Sequence, residues 1–237
     1  MCMNKSLELF PGGLTFEPGA GSFPLSTDTM LLGNFVRLRH RAKVVDLGSG
    51  SGALGLLLCA QRPDCIVTGL ELHTPSHEAA LKNIARNRLE GRMKSILGDL
   101  RQVRALLPAG DFQCVVSNPP YFADGAQSAS HPCARQELTC SLEELFAAAA
   151  WLLQTGGDFY LVHKPNRLAD LSVLGRQYGL EVKKLQLVRH RADSPVALVL
   201  LHCRRGAKSG LVFLPELTLY APDGTPTAQY RSIYHLD

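Results

Sequence analysis

Hydrophobic and polar positions along the chain alternate between short β-branched runs and longer stretches with helical spacing. This pattern is typical of an α/β sheet covered by helices. The short runs predict strands at 44–45, 65–72, 96–100, 112–117, 158–163, 180–188 and 196–203, with a further extended segment at 211–220. The helical spacing predicts helices at 29–36, 53–58, 75–90, 101–107, 142–154 and 166–177. Because Asp193-Ser194-Pro195 separates the last two long runs, we expect them to pair antiparallel.

A glycine-rich turn follows the first strand, and the rest of the chain is organised around it. Asp46, Gly48, Gly50 and Gly52 form the pattern D-x-G-x-G-x-G, with Ser49 between the first two glycines. Glycine lets the backbone turn sharply and approach a ligand closely. A strand, a glycine turn and a helix in this order open a nucleotide-binding α/β unit, whose ligand lies at the carboxyl end of the strand. Glycine runs also close hairpins, so this motif alone leaves the simpler interpretation open.

Carboxylates at the ends of the next two predicted strands are candidates for holding that ligand. Glu71 ends the second strand, roughly twenty residues beyond the glycines, where a carboxylate can accept both ribose hydroxyls of a nucleoside. Asp99 ends the third strand and either bonds an adenine amino group or caps the following helix. Leu72 and Leu100, which follow these carboxylates, are assigned to the same site.

Two polar residues precede the first helix, which leads directly into the glycine strand. Thr27 and Asp28 follow Ser26 in a segment that offers helix caps. They either cap this helix or line the mouth of the cofactor site, and the sequence favours neither interpretation.

The tetrapeptide Asn118-Pro119-Pro120-Tyr121 follows the fourth strand and is the most specific motif in the chain. Proline restricts the preceding residue to extended geometry, so the two prolines form a rigid ledge at the strand end. The amide oxygen of Asn118 and the carbonyl oxygen of Pro119 can then accept from one amino group. An exocyclic amine of a base is a poor nucleophile, and two acceptors favour the pyramidal form that frees its lone pair. Tyr121 can stack on the base.

Residues beyond this motif extend the candidate substrate side of the site. Phe122 follows Tyr121 directly, and Arg135 lies in a polar segment at 123–141 where it can meet a phosphate. A surface loop without a substrate role explains this segment equally well.

Composition and charge limit the classes of function. The chain has 237 residues, 46% hydrophobic residues and a net charge of +4, which permits a polyanionic partner without requiring one. No apolar run reaches the roughly 20 residues that cross a bilayer, and from residues 1–8 we expect no secretion signal. The seven cysteines are scattered and form no C-x-x-C pair, so we expect a reducing cytoplasm and no metal site.

The glycine motif and the tetrapeptide together resemble the amino-group methyltransferases that carry an N-P-P-Y motif. Within that group, Thr27-Asp28-x-x-Leu31-Leu32 resembles the bacterial tRNA (adenine-N6)-methyltransferases that modify valine tRNA next to the anticodon. Ala134-Arg135 and the closing Tyr230-x-x-Ile233-Tyr234 fit the same family. One departure is that residues 6–29 contain no basic residue, whereas members often carry some there.

This resemblance implies a Rossmann-like α/β fold with a seven-stranded mixed sheet, helices on both faces and an antiparallel last strand. It implies S-adenosylmethionine as cofactor, S-adenosylhomocysteine as product and a structured RNA, tRNA, as partner. We expect one domain over 1–237, with an N-terminal extension at 1–42, a cofactor-binding core at 43–206 and an extended segment at 207–237. No membrane partner is expected, and a monomer is favoured.

Two other functions fit parts of the same sequence. The protein glutamine methyltransferases that act on release factors also carry N-P-P-Y, although they usually have a helical domain before the glycine motif, and only about forty residues precede it here. A non-catalytic nucleotide-binding scaffold would also need the glycine turn. Methyl transfer to RNA, to a release-factor peptide or to neither substrate distinguishes these three functions.

Overall fold

The structure, a computed structural model, describes residues 7–9, 12–19, 25–120 and 140–236. Its centre is a nine-stranded mixed sheet, and a separate antiparallel pair, β1 and β2, lies near the N-terminus. The strands in chain order are β1 (Leu7–Glu8), β2 (Thr15–Phe16), β3 (Lys43–Leu47), β4 (Ile66–Glu71), β5 (Met93–Leu97), β6 (Phe112–Ser117), β7 (Leu153–His163), β8 (Leu180–Arg189), β9 (Val196–Arg205), β10 (Val212–Phe213) and β11 (Leu217–Thr218).

The sheet has the order β10-β8-β9-β7-β6-β3-β4-β5, and β11 also pairs with β8. Strands β5, β4, β3, β6 and β7 run parallel, whereas β9 runs antiparallel to both of its neighbours, β7 and β8. The predicted Rossmann-like mixed sheet with an antiparallel last strand is therefore confirmed. The prediction of seven strands is corrected to nine, because β10 and β11 pair with β8 and cover an edge that would otherwise be open.

Helices cover both faces of the sheet, as predicted. Adjacent strand residues enter different hydrophobic clusters, such as Val44 in one and Val45 in the other, because successive side chains of a strand point to opposite faces. Buried residues of α1, α2, α3 and α7 belong to the first cluster, and those of α4, α5 and α6 belong to the second. The helices are α1 (Thr27–Phe35), α2 (Ala53–Gln61), α3 (Thr74–Arg86), α4 (Val103–Leu106), α5 (Leu142–Leu152), α6 (Leu168–Gln177) and α7 (Ala228–Tyr234).

Several element boundaries differ from the predictions for local reasons. Strand β5 ends at Leu97 because the Asp99 side chain accepts from the backbone N–H of Arg101 and starts a short 3-10 turn at Leu100. Strand β7 begins directly after α5, and Gly156 takes φ +75° where the pairing with β6 shifts register. The segment at 207–237, predicted as extended, contains α7, which Thr227 caps by accepting from the N–H of Tyr230.

Two properties follow from the described part of the chain. None of its helices combines the length and the apolar character that crossing a membrane requires. Within the same ranges, no group of three or more His, Cys, Asp or Glu side chains is arranged to hold a metal ion.

The topology creates one crevice at the carboxyl ends of the parallel strands. Chain order reverses between β3 and β6, since β4 and β5 extend the sheet on one side and β6 and β7 on the other. Ligands of open α/β sheets bind at this switch point. The glycine turn after β3 and Asn118 after β6 lie on either side of it.

Candidate active site

The glycine turn after β3 leaves space for a ligand. Gly48 and Gly50 have φ of +71° and +55°, in the left-handed region that favours glycine. The N–H groups of Gly48 and Ser49 donate to the Leu70 carbonyl oxygen at 2.9 and 3.2 Å, which fixes the turn against β4. A Cβ atom at Gly48 or Gly50 would meet no heavy atom within 4 Å. Both glycines therefore border open space, and Gly52 then caps α2 with φ +86°.

Glu71 at the end of β4 is oriented by two backbone groups. Its Oε2 accepts from the N–H of Gly50 at 2.7 Å, and its Oε1 accepts from the N–H of His73 at 2.8 Å. The side chain is buried beside the glycine turn. These two bonds fix both carboxylate oxygens beside the glycine turn, where the ribose hydroxyls of a nucleoside are expected.

Asp46 is buried beneath the glycine turn with one unsatisfied oxygen. Its Oδ2 has no hydrogen-bond partner among the residues that the structure describes. Burial, reinforced by the nearby charge of Glu71, raises the pKa of Asp46 to about 8. Two carboxyl groups with an orphaned buried acceptor fit a cationic ligand, which would restore the charged form of Asp46. S-adenosylmethionine carries an ammonium and a sulfonium group, so this acidic centre fits the implied cofactor.

The other residues predicted to bind the cofactor have differing environments. The Ser49 hydroxyl lies against Gly69, where an added Cβ would come within 2.6 Å of Oγ. The side chain of Leu72 is half exposed at the carboxyl end of β4, where a flat apolar group can pack. Thr27 and Asp28 are half-buried in the first turn of α1, while Ser26 serves as its N-cap. Their contacts with a cofactor stay predictions.

Asp99 forms the cap that was one of its two predicted roles. It accepts from the backbone N–H of Arg101 at 2.9 Å and from Nε of the same residue at 2.8 Å. The hydrogen bond from the Arg101 guanidinium lowers the pKa of Asp99, so its carboxylate stays ionised. Leu100, at the start of the 3-10 turn, packs partly buried against the second hydrophobic cluster. A bond from Asp99 to the cofactor adenine stays a prediction.

Asn118 is anchored by α1 at the mouth of the crevice. Its Nδ2 donates to Oγ1 of Thr29 at 3.0 Å, and that oxygen lies 3.0 Å from Oγ of Ser26. The preceding residue, Ser117, is buried and donates to the Leu47 carbonyl oxygen at 2.8 Å, which joins the ends of β6 and β3. Neither Thr29 nor Ser117 was among the predicted site residues. The only sequence signal for either was its position, one beside the cap residues and the other beside the tetrapeptide.

The proline ledge is only partly described by the structure. Pro119 is half-buried and Pro120 is exposed, directly after the end of β6. The predicted substrate-side residues Tyr121, Phe122 and Arg135 lie outside the described residues. Base stacking and phosphate binding by these three side chains stay predictions.

Comparisons with known proteins agree with this geometry. The chain matches the family described as "Methyltransferase small domain" over residues 25–179. It is similar to the tRNA1(Val) (adenine(37)-N6)-methyltransferase of Shewanella putrefaciens, with 33% identity over 84% of this chain and 85% of the relative. The protein of the same name from Photobacterium profundum is 29% identical over 80% of this chain and 82% of the relative.

The fold has close counterparts among solved structures. One from Agrobacterium tumefaciens, described as a predicted O-methyltransferase, covers 88% of this chain and 96% of its own, with a TM-score of 0.72. At 21% identity this likeness supports the fold alone. The family match over residues 25–179 and the 33% identity to the Shewanella putrefaciens protein identify the family of the chain. The chain belongs to the methyltransferase small domain family and is an S-adenosylmethionine-dependent methyltransferase.

Proposed function

We propose that the protein methylates the exocyclic N6 of an adenine in tRNA, namely the adenine next to the anticodon of valine tRNA. The observation that carries this proposal is the anchored amide of Asn118 at the carboxyl end of β6, directly before the two prolines. It lies beside the glycine turn of β3, the strand that pairs with β6. The similar proteins from Shewanella putrefaciens and Photobacterium profundum are named for adenine at position 37 of this tRNA.

The chemistry of the proposal needs acceptors and alignment from the protein. S-adenosylmethionine, when bound, supplies a methyl group on a sulfonium that a nucleophile can displace. Asn118 Oδ1 and the Pro119 carbonyl oxygen would accept from the two N–H groups of the adenine amine and hold its lone pair toward the donor. Catalysis would then come mainly from positioning and from fixed dipoles. Glu71 would hold the ribose of the donor, and Asp46 would face its cationic part.

The substrate side of the proposal includes residues beyond the described part of the chain. Tyr121 and Phe122 would hold the flipped adenine between flat side chains, and Arg135 would meet a phosphate. A tRNA substrate is consistent with the net charge of +4 and with a cytoplasmic protein. We infer that residues 1–237 act as a single domain and as a monomer in this reaction.

The glutamine methyltransferase alternative is weaker than the adenine one. The named relatives carry the adenine activity in their descriptions over more than three quarters of the chain. The scaffold alternative is weaker as well, because a rigidly oriented amide beside the donor site has no use in nucleotide binding alone.

The test is transfer of a labelled methyl group to total RNA from a strain that lacks the gene, followed by nucleoside mass spectrometry. We expect N6-methyladenosine in valine tRNA from the wild-type protein. Asn118→Ala should lower the transfer rate by at least 100-fold and leave the affinity for S-adenosylhomocysteine within about threefold. Asn34→Ala, at the far end of α1, serves as the matched control and should keep the wild-type rate.

Two outcomes would contradict the proposal. Labelling of glutamine in a release-factor peptide with no label in RNA would favour the glutamine activity. No label in either substrate, with S-adenosylhomocysteine still bound, would favour the scaffold.

A further inference from the structure

The hairpin between β8 and β9 lies at the same edge of the sheet as Asn118. Strand β8 runs parallel to β7 and β6, since each of β8 and β7 is antiparallel to β9. Its carboxyl end, at Arg189, therefore points the same way as the end of β6. The order β6-β7-β9-β8 separates the two ends by three strand spacings, or about 14 Å at about 4.8 Å each. At a stacked rise of about 3.4 Å, this distance spans about four nucleotides.

A hollow of about 430 Å³ opens at this hairpin, and its lining includes groups that can contact a nucleotide. Its volume lies in the range of small-molecule sites. The lining combines two basic side chains, one hydroxyl, one aromatic ring and one glycine: His190, Arg191, Ser194, Tyr220 and Gly224. Basic and hydroxyl groups bind phosphate, and an aromatic ring stacks on a base.

The acidic groups near this hollow make their contacts with residues other than Arg191, the arginine that lines it. Glu216 pairs with Nε of Arg189 at 2.9 Å, and Asp223 accepts from the N–H and the hydroxyl of Thr225. Asp193 is exposed in the hairpin turn. In the part of the chain that the structure describes, Arg191 forms no ion pair and its side chain is exposed.

The backbone around Arg191 is closed into a tight turn. The N–H of Arg191 donates to Ser194 Oγ at 3.2 Å, and the N–H of Ser194 donates to the Arg191 carbonyl oxygen at 3.1 Å. Ser194 Oγ accepts in the first of these bonds, so its own proton remains available for an anionic oxygen. The turn therefore holds a guanidinium and a hydroxyl donor on one rigid support.

Tyr220 is the first of three neighbouring tyrosine rings that lie between the hairpin and α1. Its N–H donates to the His190 carbonyl oxygen at 2.8 Å, which ties the ring to the hairpin. The rings of Tyr220 and Tyr230 lie 5.3 Å apart, and those of Tyr230 and Tyr234 stack at 4.4 Å. Tyr230 and Tyr234 belong to α7, which packs on α1, the helix that anchors Asn118 through Thr29.

We propose that this hollow is a second nucleotide subsite, occupied by a nucleotide of the same RNA a few positions from the methylated adenine. Arg191, with His190 and Ser194, holds the phosphate, and Tyr220 presents its ring to the base. This inference rests on the proposed function for its substrate. It adds a contact that only an RNA longer than the reacting nucleotide and its nearest neighbours can make.

The test is equilibrium binding of valine tRNA to the full chain with S-adenosylhomocysteine present, over a range of salt concentrations. We expect Arg191→Ala to weaken binding about tenfold and to reduce the slope of log K against log salt by about 0.7 to 0.9. Tyr220→Leu should weaken binding by a similar factor through lost stacking, and Tyr220→Phe should bind like the wild type. A trinucleotide centred on the target adenine should bind all variants equally.

Arg176→Ala is the matched control. Arg176 is exposed near the carboxyl end of α6 and pairs with Glu181 at the start of β8, on the opposite edge of the sheet. It should keep the wild-type affinity and slope. The melting temperature of each variant verifies that it folds. Arg191→Lys keeps the positive charge and removes the planar guanidinium, so we expect an unchanged salt slope.

Measurements of tRNA binding test the subsite, and measurements of methyl transfer test the proposed function, so each can fail independently. Arg191→Ala and Tyr220→Leu variants that bind tRNA with the affinity and slope of Arg176→Ala would overturn the subsite, even if the wild type methylates tRNA. If Arg191→Ala reduces the salt slope of tRNA binding but the wild-type protein transfers no methyl group to RNA, the subsite is supported and the proposed function is contradicted.

Discussion

The side-chain amide of Asn118 donates from Nδ2 to the hydroxyl oxygen of Thr29 at 3.0 Å, and the two residues lie 89 positions apart in sequence. Thr29 is itself held by Ser26, whose Oγ accepts from the Thr29 N–H at 3.2 Å. Because an amide group is planar, anchoring its nitrogen also sets the direction of its oxygen. In the proposed reaction this oxygen accepts from the adenine amine, so Thr29 acts as a positioning residue.

Replacing Thr29 by valine should slow methyl transfer and leave donor binding intact. Thr29→Val keeps the shape of the side chain and removes the oxygen that accepts from the Asn118 amide. Because one such hydrogen bond is worth about 1 kcal/mol, the transition state should be destabilised by that amount and the rate should fall roughly five- to tenfold. The measurement is the single-turnover rate of methyl transfer at saturating tRNA and S-adenosylmethionine.

Thr29→Ser is the control for this prediction, because it keeps the hydroxyl and should restore most of the rate. A merely structural role for Thr29 would lower the melting temperature of both variants and leave their rates equal. Equal rates for the valine and serine variants would contradict the prediction that Thr29 orients the Asn118 amide.

Replacing Glu71 by glutamine should weaken cofactor binding. The side chain accepts from the N–H groups of Gly50 and His73 at 2.7 and 2.8 Å through different oxygens, so a glutamine, with one amide oxygen, keeps one of these bonds and places an NH2 group where the other acceptor was. Charged hydrogen bonds are worth about 1.5 to 3 kcal/mol, so the affinity for S-adenosylhomocysteine should fall by roughly 10- to 100-fold. Titration calorimetry measures this affinity, with the exposed Glu90→Gln as control. An affinity within twofold of the wild type would remove Glu71 from the site.

The buried carboxyl group of Asp46 should make stability depend on pH. Burial, with the nearby Glu71, raises its pKa in the folded protein to about 8, against about 3.9 in an unfolded chain. Between these values the folded protein binds a proton that the unfolded chain lacks. The contribution of Asp46 to stability is therefore present at low pH and is lost as pH rises toward about 8.

Asp46→Asn removes this titration and tests its sign. The free energy of unfolding of the wild type, relative to the variant, should fall with pH between 5 and 8, by at most about 1.4 kcal/mol per pH unit. Urea titrations at several pH values measure the difference. A difference that is constant or grows in the opposite direction would mean that Asp46 is ionised in the folded protein.

The sequence predicted the parallel strands best where strong boundaries flank a hydrophobic run. Strand β6 (Phe112–Ser117) was predicted residue for residue, because Asp111 precedes it and Asn118-Pro119 follows. Strand β7 was predicted five residues too short, since Gly156-Gly157 indicates a turn. In the structure Gly156 takes a positive φ within the strand, where the ladder shifts register. Local sequence does not encode that pairing.

Helix α7 and the support of Asn118 were missed because both depend on distant contacts. Tyr230, Ile233 and Tyr234 form the apolar face of α7, but a helix of seven residues is too short for this spacing to be distinguished from an extended segment, and it is stabilised by packing on α1. The sequence predicted Asn118 from its motif, but the motif contains no information about Thr29, which approaches through the fold. Short motifs therefore predicted the chemical groups, and only the hydrogen bond from Asn118 to α1 identified what orients them.

Asn83 in α3 joins the N-terminal segment to the glycine turn, so its loss should affect both stability and cofactor binding. The buried side chain accepts from the N–H of Glu17 at 3.0 Å and donates to the carbonyl oxygens of Glu17 and Ser51, each at 3.0 Å. Asn83→Ala leaves these groups unpaired in the interior, which should lower the free energy of unfolding by about 3 kcal/mol. Because Ser51 belongs to the glycine turn, the affinity for S-adenosylhomocysteine should also fall.

Asn87→Ala is the matched control for that prediction, since Asn87 binds the backbone of the same N-terminal segment at Thr15 without touching the glycine turn. It should lower the urea midpoint and keep the cofactor affinity. Asn83→Ala should lower both, because the Ser51 carbonyl oxygen loses the donor that holds it. If both variants bind S-adenosylhomocysteine like the wild type, then the N-terminal segment and α3 stabilise the fold without shaping the site. If both lose affinity equally, the effect comes from the segment as a whole, and the bond from Asn83 to Ser51 has no separate role.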